Sequence, residues 1–203
     1  MGEHYYSAHP DAPHDFRELT VTVSGETFTF LTDAGVFGKR RLDPGTRLLL
    51  ESVALPERGT VLDLGCGWGA IGVVVARRAP GCQVYLVDIN RRAVELARVN
   101  CRRNGVGNAV VLEGDALAPV ADVRFDLILS NPPVRAGKKV LYRMVEEAAA
   151  HLVPGGRFVA VVGNKQGAGS YREKVRAVFG QAVDLAKGGG YRVIQGVKGA
   201  EGS

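Results

Sequence analysis

The sequence predicts an α/β fold: a mostly parallel sheet with an antiparallel last strand, helices on both faces and an N-terminal β-hairpin extension. Three observations carry this prediction. From Thr60 onward, short apolar runs alternate with amphipathic stretches, and strands alternating with helices imply a parallel sheet covered on both sides. Near the end, only the four residues 187–190 separate two apolar runs. That is too short for a parallel crossover, so this pair must be antiparallel. Ahead of the alternating series, two period-two segments flank Ser24-Gly25, which reads as a hairpin.

The elements follow in order. Residues 1–17 are polar, with His4, His9, His14, Pro10 and Pro13, and read as an extended arm. Histidines five apart fit neither a helix face nor a strand face, so no metal site is expected there. Thr20–Val23 and Thr27–Leu31 form the hairpin. Asp43-Pro44-Gly45 starts a helix running to about Ser52, with Pro44 in its first turn. Residues 1–42 are therefore taken as arm and hairpin, and 43–203 as the main domain.

Within that domain, Thr60–Leu64, Gln83–Val87, Ala109–Glu113, Phe125–Ser130 and Arg157–Val162 are strands. Ala70–Arg78 is a helix ended by Pro80-Gly81. Asn90 caps the next, with Val94, Ala97 and Cys101 on one face and Asn104-Gly105 as its stop. Lys138–Leu152 is helical, with Leu141, Val145 and Ala148 inward, and Pro154-Gly155-Gly156 turns the chain into the following strand. A helix near Tyr171–Phe179 precedes the strands Ala182–Ala186 and Tyr191–Val197. Ligands in such sheets bind at the carboxyl ends of the parallel strands. The informative loops thus begin at Gly65, Asp88, Gly114, Asn131 and Gly163, with Gly188–Gly190 on the same rim.

Composition sets bounds on function. The 203 residues are 46% hydrophobic and 23% charged, ordinary for a globular protein. No apolar run approaches the roughly 20 residues of a membrane span, and the first residues lack the basic-then-apolar pattern of a secretory signal. The three cysteines, Cys66, Cys82 and Cys101, show no C-x-x-C spacing, which argues against a zinc site or a disulfide framework. A cytoplasmic protein without metal is expected, with a monomer as the default state. Net charge is uneven: residues 1–130 hold 14 Lys and Arg against 16 Asp and Glu, while residues 131–203 hold 12 against 5. The basic half fits either a solvated face or an anionic partner such as RNA.

The segment Asp63-Leu64-Gly65-Cys66-Gly67-Trp68-Gly69 follows a strand and opens a helix. Its glycines allow a sharp turn and close approach of backbone to a ligand. Gly67–Gly72 also satisfies the G-x-G-x-x-G dinucleotide pattern, and Asp88 at the end of the next strand suits a ribose in either case. Asp63, just before the glycines, suits a zwitterionic sulfonium ligand and is unwelcome beside a pyrophosphate. Asp115 is placed to accept from an adenine amine.

Asp63–Gly69, Asp88, Asp115 and Asn131-Pro132-Pro133 resemble, in order and spacing, the motifs of class I S-adenosylmethionine-dependent methyltransferases with an N-P-P signature. His4-Tyr5-Tyr6-Ser7, Thr32–Phe37 and Leu42–Leu49 extend the likeness to the small-domain group related to ribosomal RNA guanine-N2 methyltransferases, over nearly the whole chain. The resemblance implies a Rossmann-like methyltransferase sheet and S-adenosyl-L-methionine as cofactor. It places Gly65, Gly67 and Gly69 at the methionine part, with Asp63, Cys66 and Asn131 completing that side. Asp88 would hold the ribose, Ile89 and Ala116 would flank the adenine, and Asp115 would face its amine.

Asn131, Pro132 and Pro133 carry the chemistry in this reading. An exocyclic nitrogen is a poor nucleophile because its lone pair is delocalised. The Asn131 side-chain oxygen and the Pro132 carbonyl each accept one N–H, aiming the lone pair at the methyl and stabilising the developing charge. Two prolines restrict the backbone that holds them. The group usually has an aromatic next, to stack on the target base; here it is Val134. Phe37, Tyr5, Tyr6 and Tyr191 are the candidate replacement rings. Arg135, Lys138, Lys139, Lys165 and Arg192, with the run Lys39-Arg40-Arg41 earlier, are candidates to meet RNA phosphates. The function expected is N-methylation of guanine in ribosomal or transfer RNA. A protein glutamine methyltransferase and a non-catalytic RNA-binding assembly factor are the alternatives, with a nicotinamide enzyme more distant.

Overall fold

The computed structural model describes residues 13–36, 38 and 41–200. Two antiparallel strands, β1 (Arg17–Val23) and β2 (Glu26–Thr32), precede the main sheet. Ser24 and Gly25 join them with φ of 50° and 83°, the left-handed pair that suits a tight hairpin turn to strand twist. Helix α1 (Pro44–Ser52) is capped by Asp43, whose carboxylate accepts from the Thr46 N–H. Then follow β3 (Gly59–Leu64), α2 (Ala70–Arg78), β4 (Cys82–Asp88), α3 (Arg91–Arg103), β5 (Ala109–Glu113), β6 (Phe125–Ser130), α4 (Lys138–His151), β7 (Leu152–Gly163), α5 (Ala168–Phe179), β8 (Val183–Gly188) and β9 (Tyr191–Val197).

The seven-stranded sheet has the order β5-β4-β3-β6-β7-β9-β8. All neighbours are parallel except that β9 runs antiparallel to both β7 and β8. The chain therefore winds one way through β3, β4 and β5 and the other way from β6, so a crevice opens between β3 and β6 at their carboxyl ends. Side chains alternate across the sheet. Val61, Val84, Val159 and Val193 meet α1, α2, α3 and the hairpin, while Leu62, Ile128, Phe158 and Ile194 meet α4 and α5.

Helix α3 holds the hairpin in place. Asn100 accepts from Leu31 N–H at 2.7 Å and donates to the carbonyls of Leu31 at 2.9 Å and Trp68 at 2.7 Å. Asn104 repeats the pattern on Thr29. These amides substitute for a neighbouring strand on the edge of β2, satisfying backbone groups that would otherwise be unpaired. Phe28 and Phe30 are buried in the same cluster as β3 and α2, so the hairpin shares the core of the main sheet.

The sequence placed each strand and helix, with differences at the ends. Strand β7 begins at Leu152, earlier than Arg157, and Pro154-Gly155-Gly156 is an irregularity inside it where pairing with β6 shifts register. Gly155 and Lys198 remain joined by a backbone bond there, which draws the segment into the sheet instead of a free turn. The short turns Ala118–Val120, Val134–Ala136 and Asn164–Gln166 were not anticipated. Among the described residues no helix is long and apolar enough to cross a membrane, and no cluster of three or more His, Cys, Asp or Glu could hold a metal.

At the β3–α2 junction, Asp63 accepts from the Gly72 N–H at 2.8 Å, an otherwise unpaired donor in the first turn of α2. Gly72 is glycine because any Cβ would strike Leu86 at 2.4 Å. Asp63 is fully buried, and its Oδ1 has no hydrogen-bond partner among the described residues. Burial pushes its carboxyl up to about 7, against the opposing pull of the Gly72 bond.

Folding thus takes up a proton at Asp63 between pH 3.8 and about 7, so this group's contribution to stability falls as pH rises through that window. In Asp63→Asn the dependence is absent. Urea denaturation of the cofactor-free protein should show the variant gaining on the unmodified protein by up to about 1.4 kcal/mol per pH unit across the window, then levelling above it. Parallel stability curves would mean that Asp63 is ionised throughout.

Candidate active site

A cavity of about 600 Å³ lies at the carboxyl ends of β3, β4 and β6. Its floor is the loop after β3. Gly65, Gly67 and Gly69 have φ of 75°, 55° and 90°, a region open chiefly to glycine. Among the described residues, a Cβ at Gly65 or Gly67 would meet nothing within 4 Å, so these two are required by conformation. Gly69 instead lies so close to α3 that a Cβ there would come within 3.2 Å of Ala97, so its lack of a side chain lets α2 pack on α3.

Asp88 ends β4 on the cavity wall. Its carboxylate accepts from Gly67 N–H at 2.8 Å and Asn90 N–H at 2.8 Å, tying the glycine loop to the start of α3. Burial raises its pKa, while the backbone bonds from Asn90, Gly67 and Ile89 oppose the rise. Asn90 caps α3 and also donates to the Gly35 carbonyl at 3.0 Å, which brings Gly35 and Val36 to the rim. Cys66 is buried at the floor, and burial with Asp88 and Asp63 nearby pushes its thiol up, so it stays neutral. Ile89, Asp115 and Ala116 complete this wall. Ala116 holds φ of 48°, uncommon for a residue with a Cβ. Asp115 pairs with Arg143 of α4 at 2.7 Å, both half exposed.

On the opposite wall stands Asn131, directly after β6. Ser130 braces the strand end by donating to the Leu64 carbonyl at 2.8 Å. The Asn131 amide donates to Asp43 Oδ1 at 3.0 Å and Thr46 Oγ1 at 2.9 Å. Both amide hydrogens are therefore directed at the start of α1, and Oδ1 accepts no hydrogen bond among the described residues. Pro133 has φ −74° and ψ 79°, and Val134 N–H donates to the Pro132 carbonyl at 2.8 Å. This is an inverse γ-turn; it leaves the Pro132 oxygen a second lone pair for a ligand. Asp43 also receives the Tyr191 hydroxyl at 3.1 Å. Burial, then Asp43, raise the Tyr191 pKa, so the phenol keeps its proton and donates.

The residues singled out in the sequence divide by place. Gly65, Cys66, Gly67, Asp88, Ile89, Asp115, Ala116, Asn131, Pro132, Pro133, Val134 and Arg135 line the cavity. Asp63 and Gly69 do not: they sit beneath it and brace α2. Lys138 and Lys139 are exposed on the first turn of α4, beside the wall, and Lys165 is exposed next to Gln166 of the rim. Arg192 turns away to the α5 face and pairs with Asp184 at 3.5 Å, because successive residues of β9 point to opposite faces. Phe37, Tyr5, Tyr6, Lys39 and Arg40 lie outside the described residues. The site also contains Asp43, Thr46, Arg143 and Gln166, which the sequence reading did not assign to it. For Asp43 and Thr46 a signal existed, a polar pair flanking Pro44-Gly45, but it was absorbed by the helix start. Arg143 meets Asp115 across 28 residues, and no local pattern announces that pair.

Comparison with known proteins agrees with this architecture. The model for the methyltransferase small domain matches residues 27–195. The Bacillus subtilis protein YbxB is 38% identical over 200 residues, covering 98% of this chain and all of that one. Ribosomal RNA small subunit methyltransferase C of Haemophilus influenzae is 37% identical, covering 83% of this chain and 51% of its own length. Among solved structures, the T. thermophilus 16S rRNA N2 methyltransferase RsmC, in complex with AdoMet and guanosine, superposes with a TM-score of 0.82 at 31% identity, over 92% of this chain and 51% of that one. The chain thus spans about half the length of these two ribosomal RNA methyltransferases. On this evidence the protein belongs to the methyltransferase small domain family, with a Rossmann-like sheet, and is a methyltransferase.

Proposed function

We propose that the protein is an S-adenosylmethionine-dependent N-methyltransferase acting on an exocyclic amine of guanine in ribosomal or transfer RNA. The observation that carries this reading is the Asn131 amide. Both of its N–H groups are held by Asp43 and Thr46, so its oxygen is left to accept from a ligand in the cavity that Asn131 lines. An acceptor in that position suits an N–H-bearing nucleophile.

The cofactor fits the residues present. Backbone without side chains at Gly65 and Gly67 gives the methionine part room to approach, and Asp88 offers a half-buried carboxylate to the ribose hydroxyls. Ile89 and Ala116 would flank the adenine and Asp115 would face its amine, as the neighbouring walls of one cavity. When bound, S-adenosylmethionine supplies a methyl group on a positively charged sulfur. Asn131 Oδ1 and the Pro132 carbonyl accept the two N–H bonds of the target amine, which aims its lone pair across the cavity and stabilises the charge that develops on nitrogen. The bound cofactor would supply the methyl to a nitrogen held in this way, and the proton released from that nitrogen would pass to solvent. Asn131 aligns and does not act as a base, and alignment of this kind contributes up to roughly 7–11 kcal/mol in favourable cases.

An RNA substrate is supported by the mouth of the site. Lys138 and Lys139 occupy the first turn of α4, which holds no acidic residue and has no side-chain cap. The helix dipole disfavours cations there, a local cost that contact with phosphate would offset. Arg135 lines the wall nearby and Lys165 stands on the adjoining rim. The names of the ribosomal RNA methyltransferases that the chain resembles, and the guanosine in the superposed complex, support the same substrate class.

Three outcomes are expected. Asp88→Ala should weaken S-adenosylmethionine binding in calorimetry by about 1.5–3 kcal/mol, since it removes hydrogen bonds to a charged group; unchanged affinity would move the cofactor elsewhere. Asn131→Ala should lower single-turnover methyl transfer about a hundredfold to a thousandfold while cofactor affinity stays nearly constant. Full activity in that variant would refute the alignment role, and lost cofactor binding would reassign Asn131 to the cofactor. Replacing Lys138 and Lys139 with alanine should weaken RNA binding and reduce the log–log salt slope by about 0.7–0.9 for each lost phosphate contact. An RNA affinity indifferent to salt in the unmodified protein would exclude the phosphate contacts.

A further inference from the structure

The hydrogen bonds around Asn131 reach well beyond the loop that carries it. Asp43, at the cap of α1, receives Asn131 on Oδ1 and the Tyr191 hydroxyl on Oδ2. Thr46, three residues on, receives the second Asn131 proton on its hydroxyl oxygen. Tyr191 approaches so closely that a Cβ on Gly45 would lie 2.5 Å from its ring. Three separated elements, α1, the loop after β6 and β9, therefore meet at one carboxylate. An N-cap needs only the Thr46 N–H bond. The remaining contacts to Asp43 do nothing further for the helix, and both point toward Asn131 or hold the carboxylate that does.

We propose that Asp43 and Thr46, backed by Tyr191, are positioning residues that fix the Asn131 amide with its oxygen toward the cavity and thereby restrict the site to nucleophiles that carry N–H groups. This inference rests on the alignment role given to Asn131. A primary amide has two orientations of similar shape about its last torsion, with oxygen and nitrogen exchanged. Only one of them presents an acceptor to the substrate. A carboxylate and a hydroxyl oxygen on the protein side select it, because a carboxylate accepts and cannot donate. The reversed amide would set its oxygen against the Asp43 carboxylate and its N–H groups against those of an amine. The same arrangement disfavours a ring nitrogen that offers only a lone pair, since it would face the Asn131 oxygen. Tyr191 holds the second carboxylate oxygen, which keeps Asp43 from turning away.

The test separates orientation from activity. In ¹H–¹⁵N spectra of the protein, the Asn131 side-chain pair is identified by its absence in Asn131→Ala. Two well-dispersed, slowly exchanging protons are expected in the unmodified protein. Thr46→Val keeps the shape of α1 and removes one acceptor, and Asp43→Ser keeps an N-cap oxygen but is too short to reach Asn131. In each, the dispersion should shrink and single-turnover transfer should fall about tenfold to a hundredfold, as for a displaced reacting group, with unchanged cofactor affinity. Asp43→Asn, whose amide oxygen can still accept from both Thr46 and Asn131, should recover most of the dispersion and the rate. Lost dispersion with full activity in Asp43→Ser and Thr46→Val would overturn the positioning role while leaving Asn131 as the aligning residue. Full activity in Asn131→Ala would remove the reading beneath it. An Asn131 pair that exchanges fast in the unmodified protein would overturn the proposal outright.

Discussion

The interaction on which the site depends is the pair of hydrogen bonds from the Asn131 amide to the start of α1. An amide at the end of a parallel strand could present either a donor or an acceptor to the crevice, and the chemistry differs completely between the two. Here the Asp43 carboxylate can only accept, and the Thr46 hydroxyl oxygen accepts beside it. The strand beneath is fixed by Ser130 on the Leu64 carbonyl, and the turn beyond by the Val134 bond to Pro132. Asn131 is thus held from three directions before any ligand arrives, and preorganised polar groups of this kind need no rearrangement as charge develops.

The other wall follows a related logic with carboxylates. Asp63 and Asp88 end or nearly end adjacent parallel strands, yet they do different work. Asp63 is turned beneath the glycine loop, where it satisfies the first turn of α2 and is held largely by burial and one backbone donor. Asp88 faces the cavity and shapes the loop through Gly67 and Asn90. One residue supports the loop from below and the other ties it from the side. Gly65 and Gly67 can then keep left-handed backbone with no described residue within 4 Å of where their Cβ would be, and that bare surface is what suits a cofactor.

Much of this was legible in the sequence because it is local or periodic. Strand and helix order, the antiparallel last strand and the hairpin all followed from apolar spacing and connection length, and the glycine loop and Asn131-Pro132-Pro133 from short motifs at strand ends. What escaped was tertiary. That Asp63 lies under the loop and not on the cavity depends on which face of β3 it takes relative to α2. Arg192 was assigned to the rim from its place in the chain, but the alternation of β9 sends it to Asp184 and sends Tyr191 to Asp43. Asp43 and Thr46 read as a helix start within the family-like stretch and not as partners of Asn131, since a cap and a partner for a residue 88 positions away look the same in one dimension. Pro154-Gly155-Gly156 read as a turn because a register shift within a strand is set by its neighbours.

The central claim is that this site methylates an N–H-bearing nitrogen of an RNA base. Its most direct test is to incubate the purified protein with isotopically labelled S-adenosylmethionine and separate RNA and protein fractions, then digest each and identify the labelled product by mass spectrometry. The account predicts label in N2-methylguanosine from the RNA fraction, with none in the protein fraction. Label on a glutamine side chain or a ribose oxygen, or no transfer to either fraction, would contradict it.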